Sequence, residues 1–215
     1  MEETVALSAM ADPVEPAPAP VWDPPDVPGT VTGALLDPGD ASWPAVLRRF
    51  GAALALSAAF GIALGMRKGG VALLWHGGGV PLGFVVVALL VAPAFFIGLL
   101  HVGVRVEARQ VADALSRAAA TSGLTLAGIS PLAALVIVSG EDAVTAAAFG
   151  WLGLGLGGAL GLRQLAGDLT TMLAAEAWPR RARAGAAAVG FAVVSALLAA
   201  RVWAAVLKVL WGGAA

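Results

Sequence analysis

The sequence contains no cysteine. That excludes disulfides, cysteine-ligated zinc and thiol catalysis. Charge is scarce too. Only 13% of the residues are Asp, Glu, Lys or Arg, against roughly 25% in ordinary soluble domains. The formal net charge of −1 gives no reason to expect nucleic acid as a partner. No Lys or Arg precedes Arg48, and the start, Met1-Glu2-Glu3, is acidic. A cleavable secretory leader instead opens on a basic region that runs into an apolar stretch. The first long apolar run begins near residue 50 and is expected to act as an internal signal that stays in the membrane.

Chemical motifs are missing as well. There is no Walker loop, no Gly-x-Ser-x-Gly elbow and no His-Glu-x-x-His helix. Gly153–Gly161 contains Gly-x-Gly spacings, but no strand precedes it and it falls in a membrane-length apolar run. His76 and His101 are the only histidines. A metal site needs several convergent ligands, so neither metal nor cofactor is expected, and both histidines read as interfacial polar residues. The predicted spans hold no carboxylate, which leaves proton- or cation-coupled transport without a relay.

What the chain has is apolar length. It is 59% hydrophobic over 215 residues, with a mean hydropathy of +0.87. A soluble domain of this size buries only about 70% of what its unfolded chain exposes, too little to hide so much apolar surface. The expected fold is all-α: a polytopic membrane bundle of about five transmembrane helices, with one or two interfacial amphipathic helices. Arginine greatly outnumbers lysine, and Ala, Gly and Val dominate. That composition matches a GC-rich genome and points to a bacterial inner membrane.

Residues 1–41 read as a separate, disordered cytoplasmic tail, with the transmembrane domain over 42–215. The tail holds eight of the fourteen acids and the prolines Pro13, Pro16, Pro18, Pro20, Pro24, Pro25, Pro28 and Pro38. Such a segment buries too little apolar surface to offset its ordering entropy. Trp22 is its one bulky residue. The tail is either a plain spacer or a docking motif anchored by Trp22.

Ser42-Trp43-Pro44 signals a helix start, and the first span runs to Met66, closed by Arg67-Lys68-Gly69-Gly70. Gly69 to Val104 is 36 residues without a formal charge. One span needs about 20 residues and two with a turn need more than 40. A single span over Val80–Leu100 is therefore expected, with Val71–Gly79 as a re-entrant or interfacial connection. In Val104–Ala119, apolar residues recur at helical spacing with Arg105, Arg109 and Arg117 among the polar positions. Asp113 precedes Arg117 by four residues, the favourable order for a helical ion pair. This predicts an interfacial amphipathic helix. Thr121–Ser139 is the third span and Ala143–Leu162 the fourth. Arg163–Trp178 either continues the fourth or forms a second surface helix ended by Pro179. Ala184–Trp211 is the fifth.

Five spans place Arg48, Arg49, Arg105, Arg109, Arg117, Arg163, Arg180, Arg181 and Arg183 on the side of the N-terminal tail. Arg67, Lys68, Lys208 and the turn Glu141-Asp142 fall on the other. The positive-inside rule then predicts a cytoplasmic N-terminus. Small residues form stripes: Ala53, Ser57, Gly61 and Gly65 in the first span, and Gly153, Gly157 and Gly161 in the fourth. Such stripes allow close helix approach, within one protomer or along a homo-oligomer seam, and a channel lining is the third alternative. Arg201 is the only charge clearly inside a predicted span, with Lys208 nearer the end of the same run. It is either a functional residue or snorkels to the exterior headgroups.

The surface helix Val104–Ala119, Thr121-Ser122-Gly123 with Pro131-Leu132 farther along, Trp151-Leu152, Gly161-Leu162-Arg163 and Arg183-Ala184 together give a layout that resembles the YIP-domain family of Rab/Ypt-interacting five-span membrane proteins. The resemblance covers roughly residues 45–211. It implies a five-helix bundle with its N-terminus in the cytoplasm and no known chemistry. The short acidic motifs near the second span of eukaryotic members are absent, so it implies no Rab binding. The expected function is that of a non-enzymatic organiser or accessory subunit of a membrane complex. The bilayer and anionic lipid headgroups would be partners, engaged by Arg105, Arg109, Arg117, Arg180, Arg181 and Arg183, together with a membrane or cytoplasmic protein. The competing class is a small channel, transporter or lipid-handling protein, using a gap at Trp75–Gly79 and kinks at Pro93 and Pro131. An intramembrane hydrolase ranks third.

Overall fold

A computed structural model describes residues 30–37, 41–140, 143–174 and 176–212. Trp22 and the turn Glu141-Asp142 lie outside the described residues. Within them the protein is all-helical, with six helices: α1 Val31–Leu36, α2 Trp43–Gly65, α3 Val71–His101, α4 Ala108–Ser139, α5 Ala143–Met172 and α6 Trp178–Gly212. Five of these, α2 to α6, are long and apolar enough to cross a membrane. They alternate in direction. The chain passes from α2 to α6 through short turns, and α2 and α4 form the centre, with α3 against α2, α5 against α4 and α6 against α3.

The start of α2 follows from its sequence. Ser42 Oγ accepts a hydrogen bond from the Ala45 N–H at 3.4 Å, and Pro44 occupies the first turn. Its end leads into Gly69 and Gly70, both at positive φ, a conformation that costs glycine little. The segment Val71–Gly79 is not a re-entrant connection. It forms the first turns of α3, which runs unbroken for 31 residues through Pro81 and Pro93. Glycines cost a helix about 1 kcal/mol each in isolation, but packing on α2 compensates. A Cβ at Gly65 would sit 2.9 Å from the Ala72 carbonyl oxygen, one at Gly61 would strike the backbone of His76, and Gly77 lies against Ile62. The glycines of α2 thus let its backbone lie close against the first turns of α3. At 1.5 Å per residue α3 is about 46 Å long, more than the roughly 30 Å hydrocarbon core, so it tilts or emerges.

The surface helix and the third span merge into one helix, α4. No breaker lies between Ala119 and Thr121, and the hydroxyls there bond within the helix: Thr121 Oγ1 donates to the Arg117 carbonyl at 3.0 Å and Ser122 Oγ to that of Ala118 at 3.1 Å. A reciprocal cap opens it, with the Glu107 N–H donating to Gln110 Oε1 at 3.0 Å. Val104 to Glu107 precede it outside any helix. Likewise α5 continues past Arg163 to Met172, and α6 begins at Trp178 with Pro179 in its first turn.

The tail reading also changes at its inner end. Residues 31–36 form α1, because Thr30 Oγ1 accepts from the Gly33 N–H at 3.1 Å and Leu35 is buried. The short helix packs on α4. Two apolar cores fill the bundle. One, at the end where α4 begins, joins Leu99, Val104, Val111, Leu165, Leu169 and Ala184. The other joins Phe60, Leu64, Val80, Leu126 and Ile137 toward the opposite end.

Candidate functional site

Four ionisable side chains are buried together where α2 and α4 begin and α5 ends. Arg49 is 1% exposed, Asp113 4%, Arg117 7% and Asp168 8%, although charged residues are almost never so covered unless paired. One terminal nitrogen of Arg49 forms an ion pair with Asp113 Oδ1. The other donates to the Asp37 carbonyl at 2.6 Å, just after α1. The second oxygen of Asp113 lies 3.1 Å from Arg117, one helical turn farther along α4. Arg117 Nε lies 3.5 Å from Asp168 Oδ2 on α5. The other oxygen of Asp168 accepts from Gln164 Nε2 at 3.2 Å.

The group holds two positive and two negative charges, so it is formally neutral. That balance is what makes its burial tolerable. An isolated ion carries a desolvation cost of several kcal/mol, which close opposite charges and hydrogen bonds offset. Its depth is modest. Arg49 lies six residues inside α2, about 9 Å along the axis, and Asp168 four residues from the end of α5, about 6 Å. The network ties three spans and the residue after α1 to one point.

Sequence reasoning found one edge of this network. The Asp113–Arg117 pair forms at its expected four-residue spacing. Arg49 entered the reading only as a topological charge, and Asp168 was missed. The expectation that the spans hold no carboxylate is corrected, since Asp113 and Asp168 both lie in helices of membrane-crossing length and apolarity. Burial of both hides them from bulk solvent, and each needs a partner from another helix, which spacing along one helix cannot reveal. A usable signal was the balance of two Arg and two Asp near helix ends predicted to share a side.

Arg117 is therefore not part of an exposed lipid or partner surface, because its guanidinium is enclosed by Asp113 and Asp168. The other five arginines assigned to that surface are exposed. Arg109 lies 3.7 Å from Glu107, and Arg180 lies 3.1 Å from Glu176. Arg181 donates to the carbonyls of Ala174 and Glu176, closing the turn between α5 and α6. Arg201 is exposed on α6.

The small residues sit at helix contacts within the protomer. Ser57 is fully buried, and its Oγ donates to the Leu54 carbonyl at 2.9 Å. A Cβ at Gly153 would strike the Phe60 ring, and one at Gly161 would meet Ser122 Oγ and the Ala118 carbonyl. Gly157 faces Leu126 and Ser122. Its carbonyl accepts from Ser122 Oγ at 2.9 Å, a bond between α4 and α5.

His76 is buried near the start of α3, and its Nδ1 lies 2.8 Å from the Ala72 carbonyl. His101 lies at the far end of the same helix. Among the described residues no three His, Cys, Asp or Glu side chains gather in a way that could hold a metal ion. No protein-family model matches the chain, and comparison with curated proteins and with solved structures gives no match.

Proposed function

We propose that this chain is a non-enzymatic integral membrane protein of a bacterial inner membrane, acting as an organiser or accessory subunit of a membrane complex. The observation that carries this reading is the buried ionic network. Its charges are directed at one another and at joining α2, α4 and α5. Paired intramembrane charges also occur on substrate and ion pathways, so the flux measurement below decides between the two readings. The permeation reading also relied on a gap at Trp75–Gly79, and that segment is helical and packed on α2. The exposed arginines at the tail end supply the cytoplasmic face that would meet anionic lipid or a protein partner. The layout of the YIP-domain proteins, five spans with a cytoplasmic N-terminus and no chemistry of their own, is compatible with this role.

Flux measurement tests the proposal. Full-length protein in vesicles should pass ions and lipid no faster than protein-free vesicles do. Strong protein-dependent flux that disappears when Gly153 or Gly161 is replaced by Leu would reject it in favour of a channel or lipid transporter. Topology is tested separately. The absence of native cysteine makes Glu141→Cys a clean reporter. It should react with an impermeant maleimide added from outside the cell, and labelling only from the cytoplasmic side would invert the proposed orientation.

A further inference from the structure

The helices α3 and α6 touch through Phe95 and Phe191, whose ring centroids are 4.2 Å apart. Beside this contact they enclose a groove of about 280 Å³, lined by Leu90, Ala94 and Gly98 from α3 and by Ala187, Gly190 and Val194 from α6. Ser195 of α6, whose buried Oγ has no hydrogen-bond partner among the described residues, is the one polar side chain of an otherwise apolar lining, and the groove lies within the candidate membrane spans Val71–His101 and Trp178–Arg201. Gly98 and Gly190 differ from the packing glycines described above. A Cβ at either would meet nothing within 4 Å. The space beside them is open on both walls.

The α6 stripe that lines the groove runs through Ala187, Gly190 and Val194. Four residues before Ala187, and so on the same face of the helix, stands Arg183. It is exposed and forms no ion pair among the described residues. The α3 wall leads in the same direction to His101, three residues past Gly98 and also exposed, and Arg105 follows. Val104 and Ala184, the chain neighbours of Arg105 and Arg183, belong to one apolar core. Both arginines therefore lie at one end of the bundle, the end to which the groove leads. Along α3 the groove extends from Gly98 to Leu90, about 12 Å of helix. A mostly apolar slot at membrane depth, with Arg183 one turn beyond its α6 end and Arg105 seven residues beyond its α3 end, has the charge and polarity profile of a phospholipid with an anionic headgroup.

We propose that the α3–α6 groove holds an acyl chain of an anionic phospholipid whose phosphate is bound by Arg183 and Arg105. A partner helix is a poorer occupant. It is a cylinder about 10–12 Å across with its side chains, whereas the groove is a slot beside helices already in contact through Phe95 and Phe191. The proposal rests on the membrane reading above and names the lipid class and its seat.

Full-length protein, purified in mild detergent and stripped of lipid, is titrated with phosphatidylglycerol or with phosphatidylcholine of the same chains, and bound lipid is counted by native mass spectrometry. Phosphatidylglycerol should bind about tenfold more tightly than phosphatidylcholine. Replacing both exposed arginines, Arg105→Gln with Arg183→Gln, should bring it to the phosphatidylcholine level. Gly190→Leu, which fills open space, should abolish binding of both lipids while leaving thermal unfolding in that detergent unchanged. Should Gly190→Leu fail to fold, Gly98→Leu on the facing wall carries the same test. Equal affinity for the two lipids, or undiminished phosphatidylglycerol binding in the folded leucine variant, overturns the proposal. So does a lipid-free dimer that the leucine variant converts to monomer, since the groove would then seat a second copy. Absence of lipid binding by the unsubstituted chain, while it still needs detergent, refutes the groove alone. A chain that stays monomeric in aqueous buffer without detergent refutes the membrane reading beneath it.

Discussion

Asp113→Asn is expected to lower the stability of the folded bundle by about 3–5 kcal/mol, the range found when one partner of a buried ion pair is removed. The substitution keeps shape and removes one charge. Arg49 would retain the Asp37 carbonyl but lose its carboxylate, and Arg117 would retain only the 3.5 Å approach to Asp168. Two buried cations would then face one anion. Denaturation in mixed detergent micelles, followed by circular dichroism, measures the loss. A second substitution makes the test specific. Arg49→Met in the Asp113→Asn background restores neutrality, leaving Arg117 with Asp168, and should recover a large part of the stability. A loss below about 1 kcal/mol, the size of an average substitution, would mean that the network does not hold the three helices together.

The second large effect is expected at Gly123. A Cβ there would lie 2.9 Å from both Cα and the carbonyl oxygen of Ala53, and 3.3 Å from its carbonyl carbon. All three are backbone atoms of α2, at a residue with no exposed surface. A flexible side chain could rotate aside, but the helix itself must move. Gly123→Leu should therefore cost at least the roughly 1–3 kcal/mol of an overpacked core, and it should separate α2 from α4 at the centre of the bundle. Gly128→Leu is the control on the same helix. Nothing lies within 4 Å of its Cβ position, and leucine is the better helix former by up to about 1 kcal/mol. The control should match or exceed the parent in stability. Equal stability of the two variants would show that the α2–α4 contact is looser than the geometry describes.

These two sites mark how far the sequence could be read. Apolar run lengths sufficed for the five long helices, because a bilayer demands about 20 apolar residues per crossing. The boundaries were less legible. Glycine at Gly77–Gly79 argues for a break when only local propensity is considered, whereas the segment is helical and its first turns pack on the glycines of α2. Gly61 and Gly65 of α2 meet the backbones of His76 and Ala72 across the turn that joins the two helices, a contact that local propensity does not record. The amphipathic pattern of Val104–Ala119 was real, but periodicity records only that one face is polar. It does not record whether that face meets water or, as at Asp113 and Arg117, buried opposite charges. Stripes such as Gly153, Gly157 and Gly161 are visible in the sequence, whereas their opposite numbers, Phe60, Leu126 and Ser122, emerge only once the helices are assembled.

The hydrogen bond from Arg49 to the Asp37 carbonyl has a practical consequence. The guanidinium that grips Asp113 also fastens the chain just ahead of α2. Tension applied upstream of residue 30, by an affinity handle or by a bound protein, passes through α1 and its seat on α4 to the junction of three helices. A purification tag intended to leave the fold undisturbed belongs at the other terminus.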